Sequence, residues 1–174
     1  MRQFVGLLVF AICANAATLE KLQFEEMVTK STSIVRGRIG SGRAQQQGPL
    51  YYTHYPVTIV ESYKGQQTGT IDVLVPGGTI GRSHQTVAGT PDLIVGSEML
   101  LFLWTSSKGK THVIGLSQGA FQLARSAKGE VVLSRAPIRA TLLEANGRPR
   151  HDNGMQMSMS EFRSRVGSAL GRSR

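Results

Sequence analysis

The run Met99-Leu100-Leu101-Phe102-Leu103-Trp104 constrains the fold of this chain more than any other stretch. Its length suits a strand, and successive side chains of a strand point to opposite faces of the sheet. Because both alternating faces of this run are apolar, we expect both to be covered. A closed barrel with a helix packed outside it fits that requirement better than an open sheet with one solvated face.

Other short segments of the chain alternate between apolar and polar residues or are rich in β-branched and aromatic residues, which is typical of strands. Glycine-containing turns such as Lys108-Gly109-Lys110 separate neighbouring segments and favour antiparallel pairing. Six or seven short strands with close turns predict a mainly β fold, a small closed or partly open antiparallel barrel, with an OB-like barrel as one form. The segments are Ile34–Ile39, Tyr51–Tyr63, Ile71–Val75, Met99–Trp104, Thr111–Ile114, Ala120–Ala124 and Val131–Leu133.

Two helices are expected, one at each end of the β-rich region. Leu19–Lys30 has a partly amphipathic pattern, with Thr18 as a plausible N-cap. Near the C-terminus, Ser158 and Glu161 form the pattern of a capping box, which predicts a helix starting there. The apolar face of that second helix has the spacing i, i+4, i+8, at Phe162, Val166 and Leu170.

The first residues have the pattern of a secretory signal peptide. Residues 1–16 contain Arg2, an apolar run and then Ala14-Asn15-Ala16, with small residues at the positions that a signal peptidase recognises. The predicted organisation is a signal peptide (1–16), a β-barrel domain (17–144), a linker (145–157) and a C-terminal amphipathic helix with a basic tail (158–174). Since Cys13 is the single cysteine, the exported chain would have neither a disulfide nor a thiol nucleophile.

The basic residues are distributed unevenly along the chain. Of the 20 Lys and Arg residues, eight lie after Ser134, and all eight are Arg, against three of the 11 acidic residues. Such a tail predicts one of two roles, a solvated surface or a contact with a polyanion such as lipopolysaccharide, acidic phospholipid or nucleic acid.

The string Gly115-Leu116-Ser117-Gln118-Gly119 matches the G-x-S-x-G pattern of serine hydrolases. A hydrolase would use Ser117 as nucleophile, with His84 or His112 as base. That motif works where a buried parallel strand leads into a helix, whereas residues 120–124 have the pattern of another strand. The alternative is that the two glycines permit a bulge or bend in the sheet.

Two metal-binding possibilities involve histidine. The four histidines of the chain lack the spacing of a preformed zinc site, and there is no HExxH motif. The tract from His151 through Met155, Met157 and Met159 offers soft ligands suited to Cu(I). The structural alternative is that Met157 packs on Phe162 at the start of the C-terminal helix, in a hydrophobic staple. We expect no cofactor.

The segment Pro76–His84 is rich in glycine and ends in a basic group, Arg82 and His84. Its glycines can make a turn between strands without any ligand, or they can cradle a phosphate with help from Arg82. The GKS or GKT ending of a nucleotide-binding loop is absent. Arg82 and His84 are therefore candidate binding residues of a surface loop.

Several short phrases together resemble an exported bacterial domain of uncharacterised function, which occurs alone or ahead of matrixin-type metalloprotease domains. The zinc-binding helix of those proteases has no counterpart in this sequence. The resemblance implies a binding or accessory module and assigns no activity. The phrases are Ile34-Val35-Arg36-Gly37, Tyr52-Thr53, Tyr63-Lys64-Gly65, Pro76-Gly77-Gly78, Val95-Gly96-Ser97-Glu98, Leu101-Phe102-Leu103 and Gly115–Gly119.

These observations favour a secreted or periplasmic, non-enzymatic binding domain that contacts a protein or a component of the cell envelope. The expected contact surface is the Thr79–Pro91 loop together with the outer face of the barrel. A serine hydrolase centred on Ser117 and a polyanion binder acting through the arginine tail are the alternatives. No stable transmembrane anchor is expected.

Overall fold

The computed structural model describes residues 18–126, 129–138, 140–144 and 146–171, so the predicted signal peptide lies outside the described residues. The helices are α1 (Phe24–Lys30) and α2 (Met159–Ala169), and a 3-10 helix covers Leu116–Gly119. The strands are β1 (Thr18–Glu20), β2 (Ser33–Ile39), β3 (Arg43–Gln47), β4 (Leu50–Lys64), β5 (Thr70–Pro76), β6 (Gly78–Ile80), β7 (Ser83–Gln85), β8 (Glu98–Thr105), β9 (Thr111–Val113), β10 (Ala120–Arg125), β11 (Val131–Arg135), β12 (Thr141–Leu143), β13 (Pro149–Arg150) and β14 (Met155–Ser158).

Five of these strands close into a barrel. Strands β2, β4, β5, β9 and β8 pair in that order, and β8 pairs again with β2. Every pair is antiparallel except β5 with β9, which is parallel. Counted along the chain, the barrel order is 1-2-3-5-4, the arrangement of OB-type Greek-key barrels. The prediction of a mainly β barrel with an N-terminal and a C-terminal helix is confirmed.

Strand β8 separates two hydrophobic cores, one on each of its faces. Met99, Leu101 and Leu103 belong to the core inside the barrel, whereas Leu100 and Phe102 belong to a second core outside it. All five are almost fully buried. The prediction that this strand is covered on both faces is therefore confirmed for Met99–Leu103, whereas Trp104, the last residue of the predicted run, is exposed. The alternation follows from the two-residue period of a strand.

The outer core lies between the barrel, the two helices and an extension of the sheet formed by β10, β11 and β14. We call this the helix side. Its centre is a group of aromatic rings in mostly edge-to-face contact, with Phe24 lying 5.6 Å from Phe102 and 6.1 Å from Phe162, centroid to centroid. The predicted cap of α2 is present, since the Ser158 hydroxyl accepts a hydrogen bond from the Glu161 N–H at 3.1 Å.

The N-terminal helix is shorter than predicted. It begins at Phe24, and residues 18–20 instead form β1, which pairs in parallel with β12, so Thr18 is not its N-cap. The buried Gln118 side chain holds the preceding chain extended, because it accepts from the Leu22 N–H and donates to the Glu20 carbonyl, each at 2.8 Å. Tertiary hydrogen bonds therefore override the local helical pattern.

Two segments outside the predicted strands contain strands. Between the predicted strands Ile34–Ile39 and Tyr51–Tyr63, β3 forms a hairpin with β4 and leaves its polar side chains at the surface. Within the predicted linker (145–157), β13 pairs with β12, and β14 pairs with β11 as part of the main sheet. The physical reason is that backbone pairing and a few buried groups, such as Met157, suffice to order a polar segment.

Candidate functional site

The strand register collects one row of side chains on the outer surface of the barrel. His54 on β4 pairs with Leu74 on β5, Leu74 pairs with His112 on β9, and His112 pairs with Trp104 on β8. Directly paired residues of neighbouring strands point to the same face of a sheet. The row therefore lies opposite the barrel interior, and it lies beyond the part of β8 that the helix side covers.

Three rings of this surface, Tyr52, Trp104 and His112, form what we call the aromatic face. The ring of His112 stacks against that of Trp104, with centroids 6.5 Å apart and planes 29° apart. Tyr52 contacts the other side of the group, with its centroid 6.1 Å from that of His112. Trp104 is 46% exposed, although the five preceding residues of β8 are buried. A large flat apolar ring is thus held in a defined position and left open to solvent.

A hydrogen-bonded chain of side chains, which we call the polar row, borders the aromatic face. Lys110 donates from Nζ to Gln47 Oε1, which leaves the Gln47 amide nitrogen to donate to His54 Nε2 at 3.1 Å. With Nε2 as acceptor, His54 carries its proton on Nδ1 and donates to Asp72 Oδ2 at 2.6 Å. Four elements of the fold thereby present a lysine, an amide, an imidazole and a carboxylate in a fixed order.

His112 carries no charge at neutral pH. Its burial lowers the pKa of the imidazole, and the nearby Lys110 lowers it further, whereas the hydrogen bond to the Leu74 carbonyl opposes these effects. The Nδ1–H donates to that carbonyl at 3.2 Å. The stacking partner of Trp104 is therefore a neutral ring, and the aromatic face is uncharged.

The sequence singled out His112 but missed Tyr52, Trp104 and Gln47 as parts of one surface. In the sequence, Trp104 is the last residue of an apolar run, which predicts burial. The one indication that its side chain is exposed is its position just before the polar turn at residues 105–110. The contacts between β3, β4, β5, β8 and β9 come from barrel closure, which no local pattern specifies.

The residues of the possible hydrolase are not linked to one another by hydrogen bonds in the described part of the chain. Ser117 lies in the 3-10 helix, where its N–H donates to the Gly89 carbonyl at 2.9 Å. The ring nitrogens of His84 contact the hydroxyls of Thr79 and Thr86, at 2.8 and 2.9 Å. His112 is engaged with Leu74 and Trp104 on the outer surface of the barrel.

The glycines of the same string shape the backbone. Gly115 has a φ of +59°, and a Cβ at this position would lie 2.9 Å from Leu22 Cδ1. The expected bulge or bend is in fact a 3-10 turn that joins β9 to β10, and the segment after it is a strand, as predicted. Gly115 is favoured here by its left-handed backbone conformation.

Arg82 and His84 lie on a small separate hairpin of β6 and β7. Arg82 is in its turn, and both residues are exposed. A Gln85 side-chain oxygen fixes the base of the hairpin by accepting from the Tyr51 N–H at 2.6 Å. The two candidate residues thus remain a surface feature, separate from the aromatic face in the strand order.

The methionines of the possible copper site face the helix side. Met157 is buried in the outer core together with Phe162, and Met155 and Met159 pack against the same core. The Tyr63 hydroxyl donates to Glu61 Oε2 at 2.7 Å and lies 3.6 Å from the Met159 sulfur. His151 is exposed.

Most of the tail arginines that the structure describes are paired with carboxylates of this chain. Among the five tail arginines in the described residues, four form ion pairs, and several of these pairs join separate elements. These contacts stabilise the packing of α2 and the β11–β14 region, which leaves fewer free cations for a polyanion. The pairs are Arg135 with Asp152, Arg150 with Glu144, Arg163 with Glu61, and Arg165 with Glu25.

Within the described ranges, no group of three or more His, Cys, Asp or Glu side chains is placed to hold a metal ion. The helices in those ranges are too short and too polar to cross a membrane. No family model, curated protein or solved structure matches the chain. The surface chemistry of the fold therefore carries the functional inference.

Proposed function

We propose that this chain is an exported, non-enzymatic binding domain that contacts a cell-surface component through the aromatic face and the polar row. The observation that carries this proposal is the half-exposed Trp104, stacked on His112 beside Tyr52. An indole ring left open at the end of an otherwise buried strand offers a large area for contact with a ligand.

The chemistry of this surface fits a carbohydrate chain. Flat aromatic rings contact the apolar face of a sugar, while amide, imidazole and carboxylate groups bond its hydroxyls. Gln47, His54 and Asp72 provide such groups next to the rings. OB-type barrels bind oligosaccharides and oligonucleotides on the face of their second and third strands. The equivalent strands here are β4 and β5, which carry Tyr52, His54 and Asp72.

Charge favours a sugar over a nucleic acid. Lys110 contacts the polar row, and Arg43 pairs with His54 in the strand register, but Asp72 offsets one of these two cations. Binding of single-stranded nucleic acid combines stacking with a strongly basic groove. A surface with one excess positive charge is better matched to a neutral or weakly charged glycan.

Export follows from the sequence pattern of residues 1–16, with the secreted or periplasmic space as the proposed compartment. A cell-envelope glycan is present in that compartment. The resemblance to segments that precede matrixin-type proteases is compatible with an accessory role, in which the domain holds a partner enzyme near its surface substrate.

The proposal is directly testable, because Trp104 is the single tryptophan of the chain. Its fluorescence should shift to shorter wavelength when soluble envelope oligosaccharides are added, and an aqueous quencher should reach it less readily. Oligothymidine is the comparison ligand and should have little effect at physiological salt. A glycan titration without any change in emission or quenching would overturn the proposal, and a response to oligothymidine alone would assign the surface to nucleic acid.

Variants of Trp104 distinguish a loss of ring stacking on the ligand from a loss of folding. By calorimetry, Trp104→Ala should weaken oligosaccharide binding at least about tenfold, while Trp104→Phe should retain part of it. Val95→Ala is the matched control, because Val95 is similarly exposed and lies in the loop that precedes β8. Equal affinities for Trp104→Ala and Val95→Ala would exclude the aromatic face as the site.

The non-enzymatic part of the proposal has its own test. A fluorophosphonate probe labels activated serine nucleophiles, and we expect no labelling of Ser117 in the folded protein. Stoichiometric labelling that disappears in Ser117→Ala would favour the hydrolase instead.

A further inference from the structure

A cleft of about 510 Å³ lies on the face of β10 and β11 that points away from the helix side. The strand register places Met99, Gln122 and Ser134 next to one another on β8, β10 and β11, and all three line the cleft. Phe121 and Leu133, on the opposite face of the same strands, belong to the outer core. Small-molecule sites have volumes of roughly 300 to 1,000 Å³, so the cleft has the size of a ligand site.

The lining of this cleft contains polar side chains that the fold does not use. Within the part of the chain that the structure describes, the Ser117 and Ser134 hydroxyls, the Gln122 amide and the Asp92 carboxylate make neither a hydrogen bond nor an ion pair. The two serines are half-buried. Apolar surface around them comes from Pro91, Met99, Ala120, Ala136, Pro137 and Ile138. A few convergent polar groups on a mostly apolar lining are the usual composition of a binding site.

The backbone that presents Ser117 is strained. Leu116 has a φ of +56° and is the one non-glycine residue with a positive φ in the described ranges. Side chains of this size rarely adopt that conformation, and such strain is concentrated at ligand sites. The Ser117 N–H donates to the Gly89 carbonyl at 2.9 Å, which ties this turn to the loop that carries Asp92. The fold therefore holds the Ser117 hydroxyl and the Asp92 carboxylate at one cleft.

The described lining of the cleft carries one negative charge without a counter-ion. Arg135 also lines the cleft, but it forms a buried ion pair with Asp152, and the two side chains are only 7% and 4% exposed. Asp92 is the other charged residue of this lining, and it is exposed. A neutral ligand that covered Asp92 would remove water from the carboxylate without replacing it by a positive charge, which is costly. The charge of the cleft therefore favours a cationic ligand.

We propose that this cleft binds a primary ammonium group on an aliphatic chain, with the Asp92 carboxylate as its counter-ion. An ammonium group has three N–H donors and no acceptor. The free groups of the cleft supply acceptors of three kinds: the carboxylate, the hydroxyls of Ser117 and Ser134, and the amide oxygen of Gln122. The aliphatic chain contacts the apolar part of the lining. A lysine side chain of a peptide and a free alkylamine share this chemistry.

The ammonium site is separate from the proposed glycan surface. Its strand residues lie on β10, β11 and the first half of β8, whereas the aromatic face uses the last residues of β8 together with β4 and β9. The site also gives Ser117 a role as a hydrogen-bond acceptor, which needs no base to activate it. The two sites can therefore be tested independently.

Nuclear magnetic resonance of the ¹⁵N-labelled exported chain tests the site. Pentylammonium chloride and a short acetylated peptide with one central lysine are titrated separately, and tetramethylammonium chloride is the reference at equal ionic strength. We expect saturable shifts of the Gln122 side-chain amide and the Ser117 backbone N–H with at least one of the two primary ammonium ligands. Tetramethylammonium should produce no saturable shift, because it has no N–H donor. The ligand with the higher affinity distinguishes a peptide site from a site for a free amine.

Two variants localise the binding. Asp92→Asn should weaken the responding ligand by about tenfold, and Ser134→Ala by about threefold, the losses expected for one partly solvated charge and one hydrogen bond. Glu130→Gln is the matched control, because it removes one negative charge from an exposed turn outside the cleft and should leave the affinity unchanged. Unchanged amide signals away from the cleft show that each variant is folded. The proposal is overturned if neither ammonium ligand gives a saturable shift, if tetramethylammonium gives the same shift, or if Asp92→Asn and Glu130→Gln have equal effects.

Discussion

The outer surface of the barrel has two regions that differ in how the fold covers them. On the helix side, Phe102 of β8 is packed among the rings of Phe24, Phe121 and Phe162. Two residues further along the same strand, and on the same face of it, Trp104 stands in solvent beside His112. One strand therefore contributes a ring to a core and another ring to an open surface.

This difference in coverage indicates which surface of the barrel is available to bind a partner. On the helix side the barrel is covered because two helices supply aromatic and aliphatic side chains that match its surface. On the open side, no helix of the described residues packs on the barrel, and the polar row fixes the side chains by hydrogen bonds instead of by packing. The rings are held in place without being buried, which is the arrangement expected of a preformed binding surface.

The largest difference between the two regions should appear when the buried Phe102 ring is removed. Phe102→Ala should lower the free energy of unfolding by about 3 to 5 kcal/mol, because it leaves a cavity among three aromatic neighbours. Chemical denaturation measures the effect. A loss below about 1 kcal/mol would mean that the helix side is not a tightly packed core.

The buried ion pair should give the next largest effect. Asp152→Asn should lower the free energy of unfolding by about 3 kcal/mol at neutral pH, because it leaves the Arg135 charge buried without its counter-ion. Equilibrium denaturation of the two proteins in parallel gives this difference. Glu130→Gln, in the exposed turn before β11, is a control that should change stability little.

The same pair predicts the response to acid. Burial by itself would raise the pKa of Asp152, but the hydrogen bonds from Arg135 and from the Ile138 N–H outweigh it, so the pKa lies below its ordinary value. Protonation therefore favours the unfolded chain. The stabilisation is complete above about pH 4 and is lost as the pH falls through the lowered pKa of the folded state. Denaturation curves from pH 6 down to about pH 2 should show the wild-type protein approaching Asp152→Asn.

On the open side, Trp104→Ala should lower the free energy of unfolding by about 1 to 2 kcal/mol, less than Phe102→Ala, because nearly half of the side chain is exposed. The variant should nevertheless lose glycan binding. Measuring both quantities on one preparation contrasts it directly with Phe102→Ala. A stability loss as large as that of Phe102→Ala would show that the open ring is a structural element.

The smallest effect is expected for the ion pair of Glu25 with Arg165 at the rim of the helix side. The Glu25 side chain is 56% exposed and that of Arg165 is 36% exposed, and the Arg165 guanidinium also lies 4.2 Å above the Phe24 ring. A double-mutant cycle with Glu25→Gln and Arg165→Gln should give a coupling of about 0.3 to 0.5 kcal/mol that decreases with salt. A coupling of several kcal/mol would contradict the description of this rim as solvated.

Local sequence patterns predicted those parts of the fold that depend on residues close together in the chain, such as the alternation of side chains along a strand or the N-cap of a helix. The double-sided burial of Met99–Leu103, the hairpin between β8 and β9, and the Ser158 cap of α2 are all confirmed. Patterns failed where distant groups decide. Gln118 pulls residues 20–22 into an extended form, and the pairing of β14 with β11 orders a segment predicted to be a linker.

The candidate sites were likewise predictable only in part, since the sequence indicates single residues but not their neighbours in the fold. His112, Ser117 and His151 were identifiable as chemically capable residues, but their partners were not. Parallel pairing of β5 with β9 places His112 beside Leu74, and antiparallel pairing of β9 with β8 places it beside Trp104. The cleft that Ser117 shares with Asp92 is likewise a property of the folded chain.

By itself, the sequence determined that this chain is mainly β and contains a strand with two apolar faces, because the alternation of side chains along a strand is a local property. Only the tertiary structure decided which ring of that strand is covered and which is open. That choice depends on where α1 and α2 pack and on how β9 closes the barrel, and both result from contacts between residues far apart in the chain.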